Sequence, residues 1–166
     1  MSQPNKMKKI SEMYDDNILS AIGSLMLSAS VSEVALTLLC IRITSHPDPM
    51  QPNLLYPIQG MEFRSKLHLI NQMADFKIKP HKSDIARQCK KIERAFVKRN
   101  LFAHGVIDEH YQGDKLAITF IKDMTYGKKS KLQIVKADDI HAYAQKIRSR
   151  AYELVDLLTE AGIRDF

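Results

Sequence analysis

The sequence predicts a mainly α protein, an up-and-down helical bundle of four or five helices with a small inserted antiparallel β-hairpin or three-stranded sheet. Long stretches repeat apolar residues every three to four positions, as amphipathic helices do, whereas residues 106–135 hold short apolar runs separated by turn residues. The length of 166 residues and the 45% hydrophobic content fit one domain with a buried core. We therefore expect a flexible basic tail over residues 1–12 and a single helical domain over residues 13–166.

The first long helix is predicted from the Asp15–Asp16 pair to about Thr44, because carboxylates complement the free amides of a first turn. Ser30–Glu33 also resembles a capping box, which leaves open two helices with a break near Ser30. One helix is preferred, since both halves keep the same helical phase and no proline or glycine lies near the break. Glu33 is then a lone acid in an apolar helix, and an ordinary exposed glutamate is the slightly favoured interpretation of it.

Further elements follow from the same patterns. We expect a proline-rich loop over residues 46–57, a second helix from about Ile58 to Asp75, a third that Ser83 caps, and a last helix from about Asp138 to Ala161 that Gly162 ends. Residues 106–107, 116–121 and 132–135 are the predicted strands, with turns at 112–114 and 126–129.

The helix that begins near Ser83 separates apolar from basic residues. Its apolar face holds Ile85, Cys89, Ile92 and Phe96, and its opposite face holds Arg87, Lys91, Arg94 and Lys98.

Arg99 interrupts this separation, because it falls within about 40° of the apolar seam, with Asn100 on the other side of it. A guanidinium directed at an apolar face needs an anion or acceptors. Gly105 is placed to end the helix after His104 as a left-handed C-cap.

The stretch Arg99-Asn100-Leu101-Phe102-Ala103-His104-Gly105 resembles the signature of the HEPN superfamily (higher eukaryotes and prokaryotes nucleotide-binding domains). That signature is an arginine, a polar residue that is often asparagine, three further residues and a histidine. The resemblance covers about residues 10–161, since a hairpin and a long C-terminal helix follow the motif as they do in that layout.

The resemblance implies a metal-independent endoribonuclease of the toxin or defence type, in which the ribose 2′-hydroxyl attacks the adjacent phosphodiester. The catalytic residues would be Arg99, Asn100 and His104, with Glu33 as a supporting partner of Arg99. It also implies a homodimer through the motif helix, which brings two histidines to one phosphate, and it admits an antitoxin or another protein as a partner.

Charge supports an RNA partner. The net charge is +6, and residues 64–104 contain eleven Lys/Arg against three acids. Lys91, Arg94 and Lys98 are the predicted RNA-binding residues, although a solvated basic face remains an equally weighted explanation. No cofactor is expected.

The sequence predicts a cytoplasmic protein without a membrane span. It has two cysteines within apolar patterns, no apolar run of about 18 residues and no signal-peptide pattern.

Alternatives stay open at this stage. His104, Asp108 and His110 are close enough in sequence to suggest a metal, but a turn does not guarantee the geometry of a metal site, so no metal is predicted. The main alternative function is a non-catalytic HEPN-like module that binds nucleic acid, a nucleotide or a protein partner. In a third hypothesis the motif is a coincidence in a plain helical bundle.

Overall fold

The computed structural model describes residues 14–45, 55–107, 115–120 and 133–163. These residues form five α-helices and three strands: α1 Asp16–Ser45, α2 Leu55–Gln59, α3 Phe63–Lys77, α4 Lys82–His104, β1 Gly105–Ile107, β2 Lys115–Phe120, β3 Gln133–Lys136 and α5 Ala137–Glu160. The mainly α class with a small antiparallel sheet is therefore confirmed. The tail over 1–12, most of the proline-rich loop and the turns at 112–114 and 126–129 lie outside the described residues.

The sheet is the three-stranded one of the two predicted forms. Its order is β1-β2-β3, and both pairs are antiparallel. In the central strand Leu116, Ala117 and Ile118 are all buried, and Leu116 lies opposite the buried Val135.

The chain clusters into two compact units. One comprises residues 1–26 and 98–144 and holds the sheet, so we call it the sheet unit; the helical unit comprises residues 27–97 and 145–166. The border falls within α1, α4 and α5, so each long helix contributes residues to both units. The expectation of a single domain over residues 13–166 stays a prediction.

The single long first helix is confirmed, because α1 runs unbroken through Ser30 for 30 residues. Asp15 lies just before it, and its carboxylate accepts a hydrogen bond of 2.8 Å from the Asn17 amide, as an N-terminal cap does. Apolar residues at every turn of α1 are fully buried, among them Ile18, Leu25 and Leu36.

By length and composition α1 could also span a membrane, although 39% of its most apolar 18-residue window is buried within the protein. The buried helix of a globular core and a signal sequence meet the same criterion, so this finding is weak. The expectation of a chain without a membrane span stays a prediction.

Three local expectations need correction. Pro57 lies inside the short helix α2 rather than in the loop, and it fits there because first-turn amides have no intrahelical partner. The second predicted helix divides at Gly60, so that Ile58 belongs to α2 and α3 begins only at Phe63. Ser83 does not cap α4, because a 3-10 turn over Lys79–His81 leads directly into a helix that begins one residue earlier, at Lys82.

The two glycines predicted as helix ends serve different purposes. Gly162 has a φ of +89°, and the amides of Gly162 and Ile163 donate to the Thr159 and Leu158 carbonyls, so the predicted left-handed end of α5 is confirmed. Gly105 has no positive φ and is instead the first residue of β1. A Cβ at Gly105 would lie 2.5 Å from Cγ1 of Ile118 and would also overlap the Leu101 carbonyl, so close packing requires glycine there.

Candidate functional site

The motif occupies the last turn and a half of α4, within the sheet unit. Leu101 is fully buried and anchors this helix end, while Phe102 packs against Tyr143 of α5 with ring centroids 6.5 Å apart. These apolar contacts hold the helix end in place and leave the polar residues of the motif for other contacts.

Arg99 is half-buried, as its position near the apolar seam predicts. Its Nη1 donates a hydrogen bond of 3.2 Å to Oδ1 of the neighbouring Asn100. Its Nε is fully buried and has no hydrogen-bond partner among the described residues. A buried guanidinium N–H without an acceptor costs free energy, since it has lost its water and gained nothing in exchange. Arg99 is therefore a cation with unused donor capacity.

Asn100 and His104 are both exposed and lie four residues apart on one face of α4. Because Asn100 also accepts the bond from Arg99, the amide connects the arginine with the face that carries the imidazole. The described residues form no hydrogen bond or ion pair with the His104 side chain. The ring is therefore accessible to a bound molecule.

Lys98, predicted either to bind RNA or to lie on a solvated face, makes contacts within the protein. Its Nζ donates a bond of 2.9 Å to Oε1 of Gln133 on β3, and it lies 5.2 Å from the ring centroid of Tyr143. A phosphate that Lys98 binds would have to share the ammonium with these groups. Neither Gln133 nor Tyr143 was singled out from the sequence, since a glutamine in a strand and a tyrosine at core spacing carry no local signal.

The other predicted site residues belong to the helical unit. Lys91 is half-buried and Arg94 is exposed, both on α4. Glu33 on α1 is half-buried, and its carboxylate has no ion pair within the described parts of the chain. Its role as a partner of Arg99 stays a prediction.

Gln88, on α4 in the helical unit, has hydrogen-bond acceptors for its buried amide nitrogen. Gln88 is 97% buried, and its Nε2 donates to the Arg150 carbonyl at 2.9 Å and to the Glu153 carboxylate at 2.8 Å. Arg150 binds the same carboxylate through Nη1 at 2.6 and 2.8 Å. Burial raises the pKa of Glu153, but the hydrogen bonds from Arg150 and Gln88 outweigh burial and hold the pKa below its ordinary value.

Two thiols in the helical unit are inert. Cys40 and Cys89 are buried and unpaired with each other, and burial raises the pKa of each to about 12. Both thiols therefore stay protonated at neutral pH and take no part in nucleophilic chemistry.

A cavity of about 370 Å³ lies elsewhere in the sheet unit, at the first residues of α1 and α5. Its lining includes Asp15, Asp138 and His141 but no residue of the motif. The Asp15 carboxylate already caps α1, and Asp139 beside the cavity accepts from the Lys136 amide at 3.2 Å. Asp15 and Asp139 therefore act as helix caps.

Among the described residues no group of three histidine, cysteine or acidic side chains could hold a metal ion. Asp108 and His110 lie outside the described residues, so the triple with His104 is not covered by that finding.

Comparisons with protein-family models, with curated proteins and with solved structures find no significant match for this chain. The HEPN resemblance therefore rests on the motif and on the element order alone.

Proposed function

We propose that the protein is a metal-independent endoribonuclease of the HEPN type, with Arg99, Asn100 and His104 as its catalytic residues. One observation carries the proposal: the buried Nε of Arg99 has no acceptor in the part of the chain that the structure describes, and it lies beside an exposed amide and an exposed imidazole on the same helix end. A phosphodiester is the kind of group that a guanidinium binds with two parallel bonds, one to each of its two non-bridging oxygens.

In the proposed reaction the ribose 2′-oxygen attacks the adjacent phosphorus, and the bond from phosphorus to the 5′-oxygen breaks. The 2′-hydroxyl proton goes to the imidazole of His104, while Arg99 offsets the charge that builds on the phosphate oxygens. The leaving 5′-oxygen takes up a proton, from solvent or from His104 of a second copy of the chain. The products are a 2′,3′-cyclic phosphate and a 5′-hydroxyl.

Asn100 has a positioning role in this scheme. Its Oδ1 accepts from Arg99, so its amide nitrogen is left to donate to the ribose or to the phosphate. The exposed Arg94 and the half-buried Lys91 would bind RNA phosphates, with an affinity that falls as salt rises. The proposal includes a cytoplasmic location and a homodimer through the motif helix.

The test is RNA cleavage in the presence of EDTA by the wild-type chain, by His104→Ala and by a matched control, His68→Ala. His68 is also exposed and helical but belongs to the helical unit. We expect wild-type and control chains to leave cyclic-phosphate ends and the His104 variant to be slower by about 10²–10⁴-fold, the usual contribution of a general acid–base group.

Equal cleavage by all three chains would contradict the proposal. No cleavage by any of them, with every chain folded, would favour the non-catalytic HEPN-like binding module instead.

A further inference from the structure

One face of α1 exposes an apolar stripe. Leu27, Val31, Val34 and Leu38 are 66%, 40%, 60% and 41% exposed, and all four lie in the helical unit. Their spacing of four, three and four residues places them in one line along the helix, as in the seam of a two-helix coiled coil. Contiguous apolar side chains on a surface mark a contact site, because each costs free energy while it faces water.

The charges around the stripe restrict what can cover it. The chain carries a net charge of +6, yet no lysine or arginine occurs from residue 14 to residue 41. A nucleic acid or an anionic membrane would be drawn to cations, so neither is favoured at this face.

The stripe is also complementary to itself. The order Leu, Val, Val, Leu with 4-3-4 spacing reads the same in both directions. A two-fold axis midway between Val31 and Val34 therefore sets Leu27 opposite Leu38 of the partner subunit, and Val31 opposite Val34 of the partner subunit. Such matching of one patch with its own copy is what a closed two-fold dimer requires.

We propose that this face of α1 is the docking surface for a second copy of the chain, with the two α1 helices antiparallel. Ser30, a small residue, flanks the stripe and allows the helices to approach closely. From Leu27 to Leu38 the contact is about 17 Å long at 1.5 Å per residue.

A helix pair of that length buries less than the roughly 1,200 Å² at which specific, stable interfaces begin, so the contact is a weak one. The dimer is therefore concentration-dependent. This contact goes beyond the proposed nuclease activity and does not depend on it.

The first experiment is sedimentation velocity of the full chain over a range of concentrations. We expect wild-type protein to associate further as its concentration rises, and Val34→Lys to weaken that association at least tenfold, because it sets two like charges at the centre of the seam. Phe76→Lys is the matched control: Phe76 is another strongly exposed apolar residue, on α3, and its change should leave the dimer unaltered. His104→Ala should also leave it unaltered, which separates this test from that of the nuclease.

The second experiment tests the antiparallel orientation by oxidative cross-linking. A mixture of Leu27→Cys and Leu38→Cys chains should form a cross-linked dimer, whereas Leu27→Cys alone should form little. The native thiols do not compete, since both are buried with a pKa of about 12.

Monomer at every concentration, a dimer that Val34→Lys does not weaken, or efficient cross-linking of Leu27→Cys with itself would each overturn the proposal. Flotation of the monomer with lipid vesicles, lost in Val34→Lys, would assign the stripe to a membrane and overturn it as well.

Discussion

Gln88 and Arg99, two polar side chains on α4, differ in whether their buried nitrogen atoms have hydrogen-bond acceptors. Gln88 in the helical unit is almost fully buried, and its amide donates to both a carbonyl and a carboxylate of α5. Arg99 in the sheet unit buries its Nε and has no acceptor for it among the described residues. Both residues lie beside the apolar seam of α4, so helical periodicity alone does not distinguish them.

On the proposed function, the difference separates a polar group that stabilises the fold from one that binds a ligand. A satisfied buried amide contributes to stability, and its loss leaves its partners without a donor. An unsatisfied guanidinium lowers stability, and a protein retains it where a bound anion supplies the missing hydrogen-bond acceptor. The comparison therefore predicts opposite responses to substitution in the two regions.

The largest effect on stability is expected from the apolar face of α4 in the helical unit. Ile92 is fully buried, so Ile92→Ala should lower the free energy of unfolding by about 2–5 kcal/mol through lost transfer energy and a new cavity. Val97→Ala is the control on the same helix, because Val97 is 45% exposed and should change stability by less than about 0.5 kcal/mol. Chemical denaturation of both variants checks this, and equal losses would contradict the burial pattern.

The next effect concerns Gly105 at the end of the motif. Gly105→Ala should lower the free energy of unfolding by about 1–3 kcal/mol, because its Cβ would press on the Leu101 carbonyl and the Ile118 side chain. It should also slow RNA cleavage, since the helix end that carries His104 must shift. Gly23→Ala, where a Cβ meets nothing within 4 Å, should instead stabilise the chain by up to about 1 kcal/mol. Thermal unfolding of both variants distinguishes the effect of close packing at Gly105 from the effect of backbone conformational freedom at Gly23.

Gln88→Leu is expected to cost a similar or slightly smaller amount, about 1–2 kcal/mol, because the Arg150 carbonyl and the Glu153 carboxylate lose a donor. RNA cleavage at saturating substrate should not change. Gln145→Leu, an exposed glutamine of α5, serves as the control. A Gln88→Leu chain as stable as wild type would contradict the claim that the Gln88 amide stabilises the fold.

The smallest effect is a pH dependence from Glu153. Its pKa is lowered in the folded chain, so its contribution is complete above the ordinary glutamate pKa near 4.5 and is lost as the pH falls through the lower folded value. After solvent screening of this partly exposed group, the contribution is at most about 1 kcal/mol. Unfolding measured from pH 7 to pH 3 should show wild type and Glu153→Gln converging below about pH 4.5. A constant difference across this range would contradict the assignment.

Much of the fold follows from local patterns in the sequence. The four predicted apolar positions of the motif helix, Ile85, Cys89, Ile92 and Phe96, are all buried, and the unbroken phase of α1 correctly predicts one helix. Arg99 is half-buried, as its angle to that seam implies.

Contacts between residues distant in sequence were not predictable in this way. Gly105 must be glycine because of Ile118, which a different strand brings to it. The partners of Gln88 lie 62 and 65 positions further along the chain, and Lys98 is held by Gln133 from β3. None of these pairs leaves a periodic or motif signal, since each depends on how the helices and the sheet pack.

The measurement that tests the comparison most directly is a paired assay of Arg99→Met and Gln88→Met, each followed for unfolding free energy and for RNA cleavage. Methionine keeps most of either side chain's apolar bulk and removes its donors. We predict that Arg99→Met keeps or slightly raises stability and loses about 10²–10³-fold in cleavage, whereas Gln88→Met loses stability and keeps cleavage. An Arg99→Met chain that loses stability as Gln88→Met does and cleaves RNA like wild type would contradict this account.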